Sequence, residues 1–299
     1  MTPAPTAASS YDILGAIELG VNVTDNVHAD DVYASITYPN TTEQNLTLVN
    51  GTYLEWYNIS FLIPDGDIGQ YSIVFFSNDT SNNINSTVTT YFTATDNVTL
   101  QVSSSSPSGN QNIGALLEIG VDITDNIVVN DTYASITYPN TTIYNLTLAN
   151  ETATRFNASF VVPDGDIGLY TIIFFSNDTS NNINTSETTT FTATDNFTTS
   201  VSVTAPSGSH NISTTVEIGA DITDNILLNV TYASVSYPNG TEQNLTLTNT
   251  TTDHYNVSFL IPDYTIGLYT ITFFANDSSG NANSTETATF IATDNITPQ

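Results

Sequence analysis

The chain has 299 residues and a net charge of −29, from 30 acidic residues set against a single basic one, Arg155, with no Lys and no Cys. Nothing in it can neutralise phosphates, which excludes nucleic acid and an anionic membrane surface as partners. The lack of Cys removes disulfides and thiolate metal sites, and no stretch approaches the roughly 20 apolar residues of a membrane span.

Repetition governs the rest. Phe92-Thr93-Ala94-Thr95-Asp96-Asn97 returns as Phe191-Thr192-Ala193-Thr194-Asp195-Asn196 and as Phe290-Ile291-Ala292-Thr293-Asp294-Asn295. Asp96, Asp195 and Asp294 are thus 99 residues apart. A period of this length holds a domain with its own core, so three domains are expected, at 1–96, 97–195 and 196–299. The opening Met1–Ser10 has neither a basic start nor an apolar run, so a mature or excised fragment is expected.

In the second repeat, residues 98–103 are expected as a first strand, matched by Thr199–Val203 in the third. Copy one has Thr2-Pro3-Ala4-Pro5-Thr6 in that slot, and two prolines suit a sheet only at its edge. Leu117, Ile119, Val121 and Ile123 then alternate with Glu118, Gly120 and Asp122, the period of a strand with one buried face. Asp125-Asn126 breaks that strand. Tyr133–Tyr138 follows and is turned by Pro139-Asn140. Asn145–Leu148, Phe156–Val162, Tyr170–Ser176 and Thr188–Thr194 complete seven strands, none with a helical period. An all-β sandwich is predicted for each repeat. Asp166-Ile167-Gly168-Leu169-Tyr170 and Asp67-Ile68-Gly69-Gln70-Tyr71 read as tyrosine corners, of which the third copy keeps Ile266-Gly267-Leu268-Tyr269.

The third copy carries Thr223–Asn225, Tyr237–Gly240, Gly267–Ile271 and Ala275–Asn281 as one ordered series of motifs. In these it resembles the immunoglobulin-like tandem repeats of archaeal and bacterial cell-surface proteins, including adhesins and surface-layer proteins. The resemblance covers the whole chain and implies three tandem seven-stranded immunoglobulin-like sandwiches, of the fibronectin III or cadherin kind, outside the cell. The first two copies depart from the pattern with Asn82-Asn83 and Asn181-Asn182 in place of Gly280-Asn281. Such a sandwich hosts many jobs, so function has to be read from sites.

No repeated catalytic site is expected, since His28, His210 and His254 occupy non-equivalent positions and there is no Cys nucleophile. Carboxylates have a better use. In a sandwich of this connectivity the turn before the sixth strand lies at the pole where the chain leaves. The second-to-third and sixth-to-seventh loops of the next domain lie at its upstream pole. Asp65, Asp67, Asp96, Asp125 and Asp178 are therefore expected at one junction, and Asp164, Asp166, Asp195, Asp224 and Asp277 at the other. Grouped oxygens without a cation nearby suit Ca²⁺, which takes six to eight hard ligands. The third copy has Asp263-Tyr264-Thr265 where the others have Asp-Gly-Asp.

Sequons recur at matching positions: Asn45, Asn145 and Asn244; Asn58, Asn157 and Asn256; Asn78, Asn177 and Asn276. In an exported chain these are N-glycan acceptors. The expected function is a non-catalytic extracellular rod, roughly 110–130 Å long from strand and loop lengths, that builds a surface layer, stalk or filament. Self-association head to tail through an open edge of the first domain is part of this expectation. The alternatives are an adhesin, with Trp56 and Tyr57 as its candidate aromatics, and spacer domains of a larger secreted enzyme.

Overall fold

A computed structural model describes residues 3–51, 55–295 and 297; of the predicted edge segment Thr2–Thr6, Thr2 lies outside them. All regular structure among the described residues is strand. Three hydrophobic cores follow one another along the chain, from Ile13 to Ala94, from Leu100 to Ala193 and from Val201 to Ala292. The protein is a row of three immunoglobulin-like sandwiches.

The second sandwich shows the plan. One sheet joins Ala149–Asn150, Arg155–Val161, Leu116–Thr124 and Gln101–Ser106. The other joins Gly109–Asn112, Thr188–Thr194, Gly168–Asp178, Val129–Thr137 and Ile143–Thr147, with Ile183–Asn184 paired to Gly168–Asp178. Seven strands have five or more residues, as the sequence predicts, and three are shorter. The short ones carry little side-chain signal. Gly109–Asn112 is polar throughout and is held by parallel backbone pairing, Gly109 opposite Phe191. The first strand begins at Gln101 rather than Val98, because residues 96–100 are occupied by the linker and by Leu100, whose side chain enters the core.

The core is built on aromatics. Tyr71, Tyr170 and Tyr269 are fully buried, and each stacks on the Phe of the next strand, Phe92, Phe191 and Phe290, at 4.5–4.7 Å. Burying such a side chain contributes about 1.5–3 kcal/mol, and ring geometry adds about 0.5–1.5 kcal/mol. The hydroxyls make the expected corner: Tyr71 donates to Asp67 O and Tyr170 to Asp166 O, both at 3.2 Å. In the third copy the turn differs, and Tyr269 donates instead to Thr265 Oγ1 at 2.6 Å. Burial raises the Tyr71 and Tyr170 phenols well above the usual range, with Asp67 and Asp166 adding to the effect.

Candidate metal centre at the domain junctions

Asp178 closes the strand Gly168–Asp178, and its Oδ1 accepts from the backbone N of Ser180 (2.7 Å) and Asn182 (2.9 Å). This is an Asx-type turn, in which a short carboxylate replaces backbone partners. Asn181 takes a φ of 67° and Gly280 one of 92°, so the Asn-for-Gly departure preserves one left-handed turn. The turn aims the Asn182 amide at the linker. Its Nδ2 donates to Asp178 Oδ2 (2.7 Å), Asp96 Oδ2 (3.0 Å) and Asp96 O (3.1 Å). Asp96 Oδ1 accepts from Val98 N (3.0 Å) and Asn126 Nδ2 (3.2 Å).

The second junction repeats this arrangement. Asn281 Nδ2 donates to Asp277 Oδ2 (2.8 Å), Asp195 Oδ2 (3.1 Å) and Asp195 O (3.1 Å). Asp195 Oδ1 accepts from Phe197 N at 3.0 Å and Asn225 Nδ2 at 3.5 Å. Ile226, beside Asn225, packs against the core of the preceding sandwich.

Three carboxylates meet at each joint. Asp96, Asp125 and Asp178 bring one oxygen apiece within 4.8 Å of one another, as do Asp195, Asp224 and Asp277. Asp178 and Asp277 are fully buried. Both oxygens of Asp125, together with Asn126 Oδ1, are shielded from solvent and lack a hydrogen-bond partner; at the second joint this holds for Asp224 Oδ2 alone. Desolvation raises the Asp125 and Asp224 carboxyls; the backbone N–H groups of the next two residues oppose this, and Asp178 and Asp96 at the first and Asp277 and Asp195 at the second add to the rise. Burial also works to raise Asp277, but the side-chain and backbone hydrogen bonds from Asn281 outweigh it and hold the group low. Unpaired buried oxygens are costly, and a proton or a hard cation removes the cost.

Other sequence-expected ligands stand outside the clusters. Asp65 is one amide away, accepting from Asn126 Nδ2 at 3.0 Å while that amide also serves Asp96. Asp164 lines an open cleft with Gly114, Asp224 and Asn225. Asp67 and Asp166 are displaced because their backbone forms the tyrosine corner, and the Asp166 side chain accepts from Asn140 Nδ2 at 3.4 Å. Sequence reasoning missed Asn126, Asn182 and Asn281. The available signal was a fixed Asp-to-Asn spacing of four, seen at Asp79/Asn83, Asp178/Asn182 and Asp277/Asn281.

The sequons fall into three geometric classes. Asn45, Asn145 and Asn244 are exposed on outer strands. Asn58, Asn157 and Asn256 are half-buried, with Nδ2 donating to Glu18, Glu151 and Glu217 at 3.1, 2.5 and 3.1 Å. Asn78, Asn177 and Asn276 use Oδ1 to accept a backbone N–H from Asp31, Asp131 and Val230, and Asn177 is 8% exposed. A sugar is carried on Nδ2, so it competes with the donated bond of the second class, whereas the Oδ1 bond of the third class is compatible with one.

Trp56 is neither a core residue nor a loop platform: its indole N–H donates to Glu18 Oε1 at 2.9 Å and its ring lies over Gly20. The histidines stay apart. His210 sits edge-on to Phe290, and His254 lies between Asp221 and Glu217.

No protein-family model matches the sequence, and no curated protein matches it. Among solved structures, the chain is similar to a tetra-tandem repeat in the extending region of a large adhesion protein, with a TM-score of 0.43 and 17% identity over 96% of this chain and 73% of that one. It is also similar to an I-band fragment of titin, with a TM-score of 0.41 and 9% identity over 99% and 97% of the two chains. At these identities the likeness is one of fold.

Proposed function

We propose that the chain is a non-catalytic extracellular structural protein, a rod of three domains spanning 1–96, 97–195 and 196–299, that builds a surface layer, stalk or filament. The supporting observation is the repeated joint. At both junctions the linker Asp is buried against the following sandwich and held by the equivalent Asn through two hydrogen bonds of 3.0–3.1 Å. A joint made twice alike sets spacing and direction, which is what a rod requires and turnover does not.

Ca²⁺ at the two Asp trios completes the joints in this reading. Asp96, Asp125 and Asp178 would hold one ion with Asn126 Oδ1, and Asp195, Asp224 and Asp277 the other. N-glycans belong on Asn45, Asn145 and Asn244, whose side chains are exposed. Trp56 is engaged within its own sheet and Tyr57 packs against the core, so the two candidate aromatics lend the adhesin alternative no support.

Small-angle scattering on the monomer tests the rod. The expected maximum dimension is about 110 Å or more, from three sandwiches end to end. A compact particle, or one that collapses and flexes equally with Ca²⁺ and with chelator, overturns the reading of a stiffened rod.

A further inference from the structure

Each sandwich carries a pair of aromatic rings on its outward face, away from the core. In the first, the strand Ala29–Thr37 lies between Gly69–Asp79 and Glu43–Thr47. Its Val32, Ala34 and Ile36 enter the core, which leaves Tyr33, Ser35 and Thr37 on the other face. Tyr33 stacks on Phe76 at 4.8 Å, with the two rings within 5° of parallel. Tyr133 with Phe175 and Tyr232 with Phe274 repeat the pair at 4.7 Å. The rings are half-buried, and none belongs to a core cluster.

Stacking covers one face of each Tyr. Phe76 stands on the Gly69–Asp79 side, at the spacing of neighbouring strands, so the other face of Tyr33 looks over Glu43–Thr47. There Thr47 lies opposite Tyr33, and Asn45 opposite Ser35. Tyr33, Asn45 and Thr47 line an open cleft of about 290 Å³ with Asp31 and Val32. In the third sandwich Tyr232, Asn244 and Thr246 line one of about 490 Å³ that also reaches Asn229. The second keeps the register, with Tyr133 opposite Thr147 and Ser135 opposite Asn145. In each of these sequons the strand period turns the middle Leu (Leu46, Leu146 or Leu245) onto the core and leaves the Asn and Thr exposed. The Nδ2 groups of Asn45, Asn145 and Asn244 make no hydrogen bond among the described residues.

We infer that the free face of each Tyr is a platform for the first sugar of an N-glycan on the neighbouring sequon: Asn45 over Tyr33, Asn145 over Tyr133 and Asn244 over Tyr232. One face of a pyranose is a patch of weakly positive C–H groups, which suits the negative face of a phenol ring. Diagonal cross-strand neighbours such as Asn45 and Tyr33 have Cβ atoms up to about 7–8 Å apart, a gap that a sugar bonded to Nδ2 spans. Both clefts lie near the lower bound of small-molecule sites, roughly 300 Å³, and so suit a single ring rather than an oligosaccharide. Asp31 in the first and Asn229 in the third offer acceptor oxygens to its hydroxyls. Glu43–Thr47 is the last strand of its sheet, so the docked sugar also shields an open backbone edge. The inference rests on the extracellular reading, which supplies the glycan, and is independent of the rod.

The full chain, secreted from a eukaryotic host and trimmed enzymatically to one N-acetylglucosamine per occupied site, tests the platform. Site-resolved mass spectrometry is expected to find sugar on Asn45, Asn145 and Asn244. The sugar ring protons that vanish from the NMR spectrum in Asn45→Gln are expected to lie upfield, moved there by the Tyr33 ring current, and to return to ordinary positions in Tyr33→Thr. Asn45→Gln is expected to speed hydrogen exchange in the first sandwich of the glycosylated chain and to leave the sugar-free chain unchanged. If Tyr33→Thr does not fold, the same comparison at Asn145 with Tyr133→Thr, or at Asn244 with Tyr232→Thr, decides.

Asn45, Asn145 and Asn244 left bare, with or without sugar on other sequons, overturns the inference, and so do sugar protons at ordinary positions in the wild type. Free N-acetylglucosamine that binds the sugar-free wild type but not Tyr33→Thr, while attached sugars stay unshifted, assigns the face to a foreign saccharide and overturns it too. Upfield-shifted sugars on a chain that scatters as a compact particle keep the platform and remove the rod. A rod of the expected length with unshifted sugars does the reverse.

Discussion

Glu18, Glu118 and Glu217 occupy one position in the three sandwiches, and each is held by a different N–H donor. Trp56 donates to Glu18 at 2.9 Å, Arg155 to Glu118 through Nε at 3.0 Å, and His254 lies 3.2 Å from Glu217. The side chain in each case crosses a glycine. A Cβ on Gly20 would sit 2.5 Å from Trp56 Cζ2, whereas on Gly219 its nearest neighbour would be Glu217 Oε1 at 3.0 Å. A packed indole yields less readily than a carboxylate tip, so Gly20→Ala is expected to cost about 1–3 kcal/mol and Gly219→Ala less, measured by urea unfolding. The three donors also differ in titration. The hydrogen bond to Asp221 raises the His254 imidazole, burial opposes this, and Glu217 adds to the rise. A raised folded value means that the ion pair stabilises fully below the unfolded value of about 6.5, and that this is lost as pH rises through the folded value. The melting-temperature gap between wild type and His254→Gln should therefore be larger near pH 5.5 than near pH 9. The gap for Arg155→Gln should be the same at both, since a guanidinium stays charged throughout. Equal gaps for His254→Gln at the two pH values would show that its ion pair adds nothing.

At the scale of elements, side-chain period carried the reading and backbone pairing escaped it. Ile119, Val121 and Ile123 point to the core as their alternation implies, and the long strands were legible from such runs. Gly109–Asn112 was not, because its Gly-Asn-Gln-Asn sequence contributes only backbone to a parallel pairing set by its neighbours. The junction carboxylates were legible through their 99-residue recurrence, but the Asn182 amide was not, since its aim depends on the left-handed turn at Asn181. The corner lies between these cases. Its Tyr was readable, while the switch of acceptor to Thr265 Oγ1 in the third copy arises only once the turn is folded. Tyr170→Phe removes a hydrogen bond to a backbone carbonyl and is expected to cost about 0.5–1.5 kcal/mol. Thr265→Val strips the acceptor from Tyr269 and should weaken the third sandwich by a similar amount, leaving the first two unchanged in domain-resolved hydrogen exchange. A loss spread over all three sandwiches would contradict the local origin of this bond.

At the scale of the molecule, the joints decide whether three sandwiches act as one body. Carboxylates within 4.8 Å repel by on the order of 3 kcal/mol per pair at an effective dielectric of about 20, and Asp125 meets this with no hydrogen bond to either oxygen. Asn182 and Asn126 relieve Asp96 and Asp178 but leave Asp125 uncompensated. A divalent cation would turn that repulsion into six or more attractive contacts, drawing the remaining ligands from water. This gives Asp125→Asn opposite effects in the two states. Without Ca²⁺ the substitution removes an unpaired charge and should raise the melting temperature. With Ca²⁺ it removes a ligand, so the gain the wild type shows on adding the ion should shrink, and titration calorimetry should register one site fewer. Asp224→Asn should do the same at the other joint, more weakly, because only one unpartnered oxygen is lost there. If Asp125→Asn instead lowers stability in chelator and the wild type gives no heat with Ca²⁺, the trio is held by a proton and the amides alone, and the stiffness of the proposed rod would rest on Asn182, Asn281 and Ile226.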